Sequence, residues 1–175
     1  MTAKRVLWLL ATMVFITLAM AACAPRAKEI KGDIGLQVQQ GIARGTGIFN
    51  HAKLDGILRR YAKVAEHRFD YAGLKKNRAE LDDCIREIAR QKVSRLSRDS
   101  LLAFFINAYN AVTVQAILNT MTKENPNGVA SIRDIPDVFD ARTHIVGGES
   151  LSLNNIEHNI LRPFFKDPRI HFALN

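Results

Sequence analysis

The sequence predicts an α+β domain in which N-terminal helices, one of them central and buried, pack on a small, mostly antiparallel sheet. Three observations predict it. Apolar residues recur at helical spacing through residues 54–65 and again through residues 81–89. The stretch from Leu101 to about Thr120 is apolar nearly all round, the pattern of a helix enclosed by protein. Further on, Thr143-His144-Ile145-Val146 and Leu151-Ser152-Leu153 flank Gly147-Gly148-Glu149-Ser150, which reads as a hairpin with a glycine turn.

In chain order, residues 1–22 read as an export signal. Lys4 and Arg5 precede an uncharged run of 17 residues, Val6 to Ala22, and the segment closes on Ala21-Ala22-Cys23. Cys23 after two alanines resembles the bacterial lipoprotein cleavage box, in which that cysteine is lipidated and becomes the mature N-terminus. Met20 stands where a branched aliphatic residue is usual. Ala19-Met20-Ala21 also satisfies the small-x-small rule for plain secretion, and the run is at the short limit for a retained membrane helix, which needs about 20 residues. All three readings put the domain outside the cytoplasm. The lipid reading makes residues 23–48 a tether and places the protein at the bacterial cell envelope, on the periplasm-facing outer membrane. Its first expected partner is therefore the membrane itself.

The domain is expected over residues 49–175. The full chain of 175 residues is 47% hydrophobic and 24% charged, ordinary globular material. Leu54, Ile57, Leu58, Tyr61, Val64 and Ala65 predict a first helix, and Asp70-Tyr71-Ala72-Gly73-Leu74 a short connection. Leu81, Cys84, Ile85, Ile88 and Ala89 make one apolar stripe of a second helix, which turns Cys84 into a small core hydrophobe rather than a nucleophile. Ser97 is placed to cap the long third helix. After the hairpin, Asn154 is placed to cap a short helix holding Ile156, Ile160 and Leu161 and stopping near Pro163. The alternation of Ile170, Phe172 and Leu174 predicts a final strand over residues 169–175.

Charge excludes some partners. Net charge is +8, and residues 51–100 carry thirteen Lys and Arg against eight Asp and Glu. The signs interleave through Arg78, Glu80, Asp82, Asp83, Arg86, Glu87 and Arg90, the pattern of a solvated helix face rather than a polyanion site. No nucleic-acid-reading signature accompanies them, so no nucleic-acid partner is expected. No His-x-x-x-His or Cys-x-x-Cys spacing points to a metal, and Gly147-Gly148 lies in a turn rather than before a helix, so no phosphate cradle and no cofactor are expected.

Five residues could carry recognition or chemistry. Asn107 and Asn110 lie at i and i+3 on the central helix. A buried amide without partners costs a few kcal/mol, so both must bond to a loop, to another side chain or to a ligand. Glu157 and His158 are adjacent on the short helix and point apart. Glu157 is expected to find Arg162, Arg169 or a histidine, or to line a site, and His158 with Arg162 lies on the more polar side. His171, on the predicted last strand, is placed either as a general base or as a satisfied core histidine.

AFFINAYNAVTVQAIL (103–118), SIRDIPDVFDARTHIVGGESLSLNNIEHNILRP (131–163) and DPRIHFALN (167–175) together resemble the domain of unknown function 547 family, from about Phe49 to the end. The resemblance implies an exported bacterial protein. It also implies a pattern that continues past the histidine-bearing segment into cysteine-containing residues, so the chain is expected to be truncated at its C-terminus. Two functions are then in view. One is an envelope accessory or binding domain contacting a peptide, glycan or protein. The other is a thiol hydrolase-like enzyme with His171 as base, Glu157 or Asn107 as orienting group, and a nucleophile beyond Asn175.

Overall fold

The computed structural model describes residues 32–174. Cys23 and the leader lie outside the described residues. The described chain is mainly helical, with two small antiparallel strand pairs, and the α+β class holds.

The first element among the described residues is a helix that sequence patterning does not mark. α1, Ile34–Arg44, buries Ile34, Val38 and Gly41 against the 3-10 turn Val93–Arg95 and the central helix. Gly41 is what permits the close approach, because a Cβ there would lie 2.8 Å from Leu101 Cδ1 and 2.9 Å from the Leu96 carbonyl. The following segment is strapped down as well. Gly47 N–H donates to the Arg95 carbonyl at 2.8 Å and Ser97 N–H to the Gly47 carbonyl at 2.9 Å. The described core therefore includes Ile34–Arg44, a stretch that the sequence reading assigns to the tether.

α2, Ala52–Tyr61, buries Leu54, Ile57 and Tyr61 and ends earlier than its apolar spacing suggests, leaving Val64 exposed. The chain turns there into a minimal hairpin, β1 (Ala62–Lys63) with β2 (Arg68–Phe69), whose turn holds His67 in the left-handed region. The expected connection at residues 70–74 is instead the start of α3, Tyr71–Lys76, because the Asp70 carboxylate accepts from Gly73 N–H at 2.8 Å and caps it. α4, Arg78–Arg90, buries Leu81, Cys84 and Ile88 as its stripe predicts. Its outer face is laced with ion pairs, Arg78 to Asp82 and Arg86 to Asp83 within the helix, Lys53 and Arg60 from α2 to Glu87 and Glu80. Cations so paired on an exposed face leave little net field to attract a polyanion.

The centre of the molecule is α5, Arg98–Thr120, capped by Ser97, whose hydroxyl accepts from Ser100 N–H. By length and composition alone this helix could cross a membrane, but half of its most apolar stretch is buried and it packs against α1, α4 and the segment after the hairpin. Phe104, Phe105, Ala108, Ala111 and Val112 are fully enclosed, burial that stabilises by about 1.5–3 kcal/mol for each large side chain.

The predicted hairpin is present. β3 (His144–Val146) pairs with β4 (Glu149–Leu151) in the register Val146 to Glu149 around a two-residue turn, with Gly147 at φ 63° and Gly148 at φ 88°. The turn docks onto the end of α4, as Gly147 N–H donates to the Ile88 carbonyl and Gly148 N–H to the Ala89 carbonyl.

The next segment is not an ordinary helix capped by Asn154. Ser152 supplies the cap, its hydroxyl accepting from Asn155 N–H at 3.1 Å while Asn155 Oδ1 accepts from Ser152 N–H at 3.2 Å. Asn154 instead donates to the Asp140 carboxylate. Residues Asn155–Leu161 then form a π-helix that runs into the short α6, Arg162–Phe165.

The predicted final strand is also a helix, α7, Ile170–Ala173. Asp167 starts it, with its carbonyl accepting from Ile170 N–H and its side chain accepting from Arg169 N–H. Ile170 is buried, whereas Phe172, two residues on, is 86% exposed, so the alternation does not mark one buried face.

Candidate functional site

The polar face of α5 is the natural starting point, since an amide on so apolar a helix must be engaged. Asn107 Nδ2 lies 2.9 Å from Nδ1 of His51, the residue just before α2. With the amide donating, the imidazole keeps its proton on Nε2, which is buried and has no partner among the described residues. The ring is held on its other side by Phe49, edge-on at 5.0 Å, and Phe49 in turn packs edge-on against Phe104 at 5.0 Å. Burial pushes the His51 pKa down, so the group is a neutral, oriented imidazole.

One turn further along, Asn110 Nδ2 donates to the Ala173 carbonyl at 2.9 Å and fastens the end of α7 to the central helix. This fastening sets where His171 stands. His171 is exposed on α7, its ring edge-on to Phe172 at 5.6 Å, so it is neither on a strand nor a core histidine. Arg169 holds the Asp167 carboxyl down at about 2, chiefly by hydrogen bonding, which keeps the entrance to α7 ionised and fixed.

The π-helix decides the partner of Glu157. Its wider coil puts residues i and i+5 in register, with Arg162 N–H donating to the Glu157 carbonyl. The same offset stacks the side chains, so Glu157 Oε1 accepts from Arg162 Nε at 3.0 Å and Nη2 at 2.6 Å. The Glu157 side chain is only 15% exposed, and it faces the buried Tyr109, whose phenol is pushed up to about 12 by burial and by the carboxylate's charge. His158 is half-buried on the same π-helix.

Three of the five predicted residues therefore have separate partners. Asn107 goes with His51, Asn110 with the backbone of α7, and Glu157 with Arg162 and Tyr109. Among the described residues no hydrogen bond or ion pair joins Glu157, His158 and His171 to one another. Three contributors are absent from the sequence-based candidates. His51 is 56 residues from its partner and has no local signature. Tyr109 reads as a core aromatic. Ser152 with Asn155 was accessible, because Ser followed three residues later by a side-chain acceptor is a capping pattern.

Chemically, this arrangement offers an oriented neutral imidazole, a phenol that keeps its proton and a carboxylate neutralised by a guanidinium. It does not use the one cysteine among the described residues. Cys84 is 4% exposed and its thiol is pushed up to about 11, first by burial and then by Glu87, so it is a packing group and not a thiolate. Among the described residues no three His, Cys, Asp or Glu side chains converge as metal ligands would.

No curated protein and no solved structure matches the chain. A family model does match, over a span that contains α5, the hairpin, the π-helix and α7 but not His51 or Cys84. Residues 93–175 are similar to the family described as "Protein of unknown function, DUF547", the family that the three sequence motifs resemble.

Proposed function

We propose that this chain is a binding or accessory module of the bacterial cell envelope, exported by its leader and held by lipid on Cys23 at the periplasm-facing outer membrane. The observation that carries the reading is the leader itself, with Lys4 and Arg5, the uncharged run to Ala22, and Ala21-Ala22-Cys23 in order. Multiple acyl chains on Cys23 suffice for stable anchoring, since each buried methylene contributes about 0.8 kcal/mol.

The geometry favours binding over turnover. Asn107 and Asn110 spend their amides on holding His51 and α7, and the result of the second bond is an outward-facing pair, His171 and the 86% exposed Phe172, on a pinned helix. An exposed aromatic beside an exposed imidazole suits a contact surface for a peptide, glycan or protein. The test is fractionation of the Cys23→Ser variant. Release from the membrane fraction is expected, and full membrane retention would contradict lipid anchoring.

A second reading, a thiol hydrolase, has one observation in its favour. An asparagine beside an imidazole, as Asn107 stands beside His51, can orient a base for a thiol nucleophile, and it does so in the tautomer in which Asn107 Oδ1 accepts from His51 Nδ1–H and Nε2 is left free to take the proton. Cys84 does not fill that role. Rapid iodoacetamide capture of another cysteine in a longer form of the protein, abolished by His51→Ala, would favour this reading over the binding one.

A further inference from the structure

Away from the α5 face, between the β1–β2 hairpin and the loop after α5, lies an open cleft of about 680 Å³ lined by Lys63, Glu66, Arg68, Phe69, Tyr71 and Asn127 among others. Its size is that of sites for small ligands, about 300–1,000 Å³. Both walls are set in advance. On one side the hairpin register pairs Lys63 with Arg68, and Asp70 N–H extends the pairing to the Tyr61 carbonyl at 2.8 Å. On the other, Thr122 and Asn125 exchange bonds across the loop and Val129 N–H donates to the Thr120 hydroxyl at 3.1 Å, so the turn carrying Asn127 is tied back to the end of α5.

The chemistry of the lining is specific. Phe69 and Tyr71 are half-buried with ring centroids 4.9 Å apart and planes at 55°, a two-ring wall. Around it stand one amide, Asn127, and charges that cancel, since Lys63 and Arg68 face Glu66 and Asp70. Arg68 is already bound to Glu66 and the Asp70 carboxylate is committed to Gly73 N–H. A cleft whose lining charges cancel carries no net field that would select an anionic or a cationic ligand. What it offers is aromatic area at little entropic cost together with planar groups that accept from and donate to several hydroxyls at once.

We propose that this cleft binds a neutral saccharide, with Phe69 and Tyr71 as the platform for a sugar ring's C–H face and Asn127 and the Glu66–Arg68 pair serving its hydroxyls. The site is independent of the envelope reading and of the α5 face.

The test uses the full chain in a polyoxyethylene detergent, which carries no sugar, and saturation-transfer NMR with chitotetraose and cellotetraose as probes and inorganic tripolyphosphate as the charged comparison. At least one tetrasaccharide is expected to bind. Tyr71→Ala is expected to weaken it by about tenfold or more, and Asn127→Ala, at an exposed loop position where folding is not at stake, by about threefold to tenfold. Absence of transfer to both sugars, unchanged affinity in Asn127→Ala, or displacement of the sugar by tripolyphosphate at equal concentration would each overturn the proposal.

Discussion

Replacing Asn107 with Ala tests the one hydrogen bond that ties the start of α2 to the middle of α5. In the native protein His51 Nδ1 has this amide 2.9 Å away and Nε2 has no partner among the described residues, so the substitution leaves both ring nitrogens unsatisfied. A neutral bond contributes about 0.5–1.5 kcal/mol net, and an abandoned buried polar atom costs about 1–3 kcal/mol, so a loss of about 1–3 kcal/mol is expected. Urea unfolding followed by circular dichroism measures it as a lower midpoint at unchanged slope. A cycle with His51→Ala isolates the pair, and a coupling of about 0.5–1.5 kcal/mol is expected. Additivity of the two single substitutions within about 0.3 kcal/mol would refute the bond and, with it, the view that Asn107 orients His51.

Further outcomes follow from the packing and the titrating groups. Gly147→Ala places a Cβ 2.3 Å from Val93 Cγ2 at a φ of +63°, so it should cost about 2–5 kcal/mol, whereas Gly148→Ala, with open space around it, should cost only the backbone strain of about 1–2 kcal/mol; equal midpoints would contradict the docked turn. Cys84 should react with iodoacetamide only under denaturing conditions, and fast labelling of the folded protein would show a thiol nearer the surface than its 4% exposure allows. Burial lowers the pKa of both His51 and His144 from 6.5, so the unfolded chain takes up these protons first on acidification. The stability they contribute is present above about pH 6.5 and is lost as the pH falls through their native values; for the deeper His144 the slope is at most about 1.4 kcal/mol per pH unit. A urea midpoint that stays flat from pH 7 to pH 5 would contradict this.

The parts of the fold that could be read in advance are those where one strong local rule acts alone. The continuous apolar run of α5 with Ser97 before it, the Cys84 stripe and the paired glycines of the hairpin each have a single structural solution. α1 escaped because its glycines lower helix propensity, and the contact of Gly41 with Leu96 and Leu101 that accompanies its burial is made with a distant segment. In α7, four residues are too few to separate a two-residue period from one turn of helix. The π-helix has no signature in spacing at all, yet it is what turns Glu157 toward Arg162. For the candidate site, the need of Asn107 and Asn110 for partners was legible from their place as amides on an apolar helix. Their partners, His51 and the Ala173 carbonyl, come from distant segments and required the structure.

Mass spectrometry of the mature N-terminus, on protein taken from the membrane fraction of a bacterial host, tests the central claim most directly. The account predicts a first residue of Cys23 carrying the mass of a diacylglyceryl group, with residues 1–22 removed. An N-terminus at Met1, or an unmodified Cys23, would contradict it.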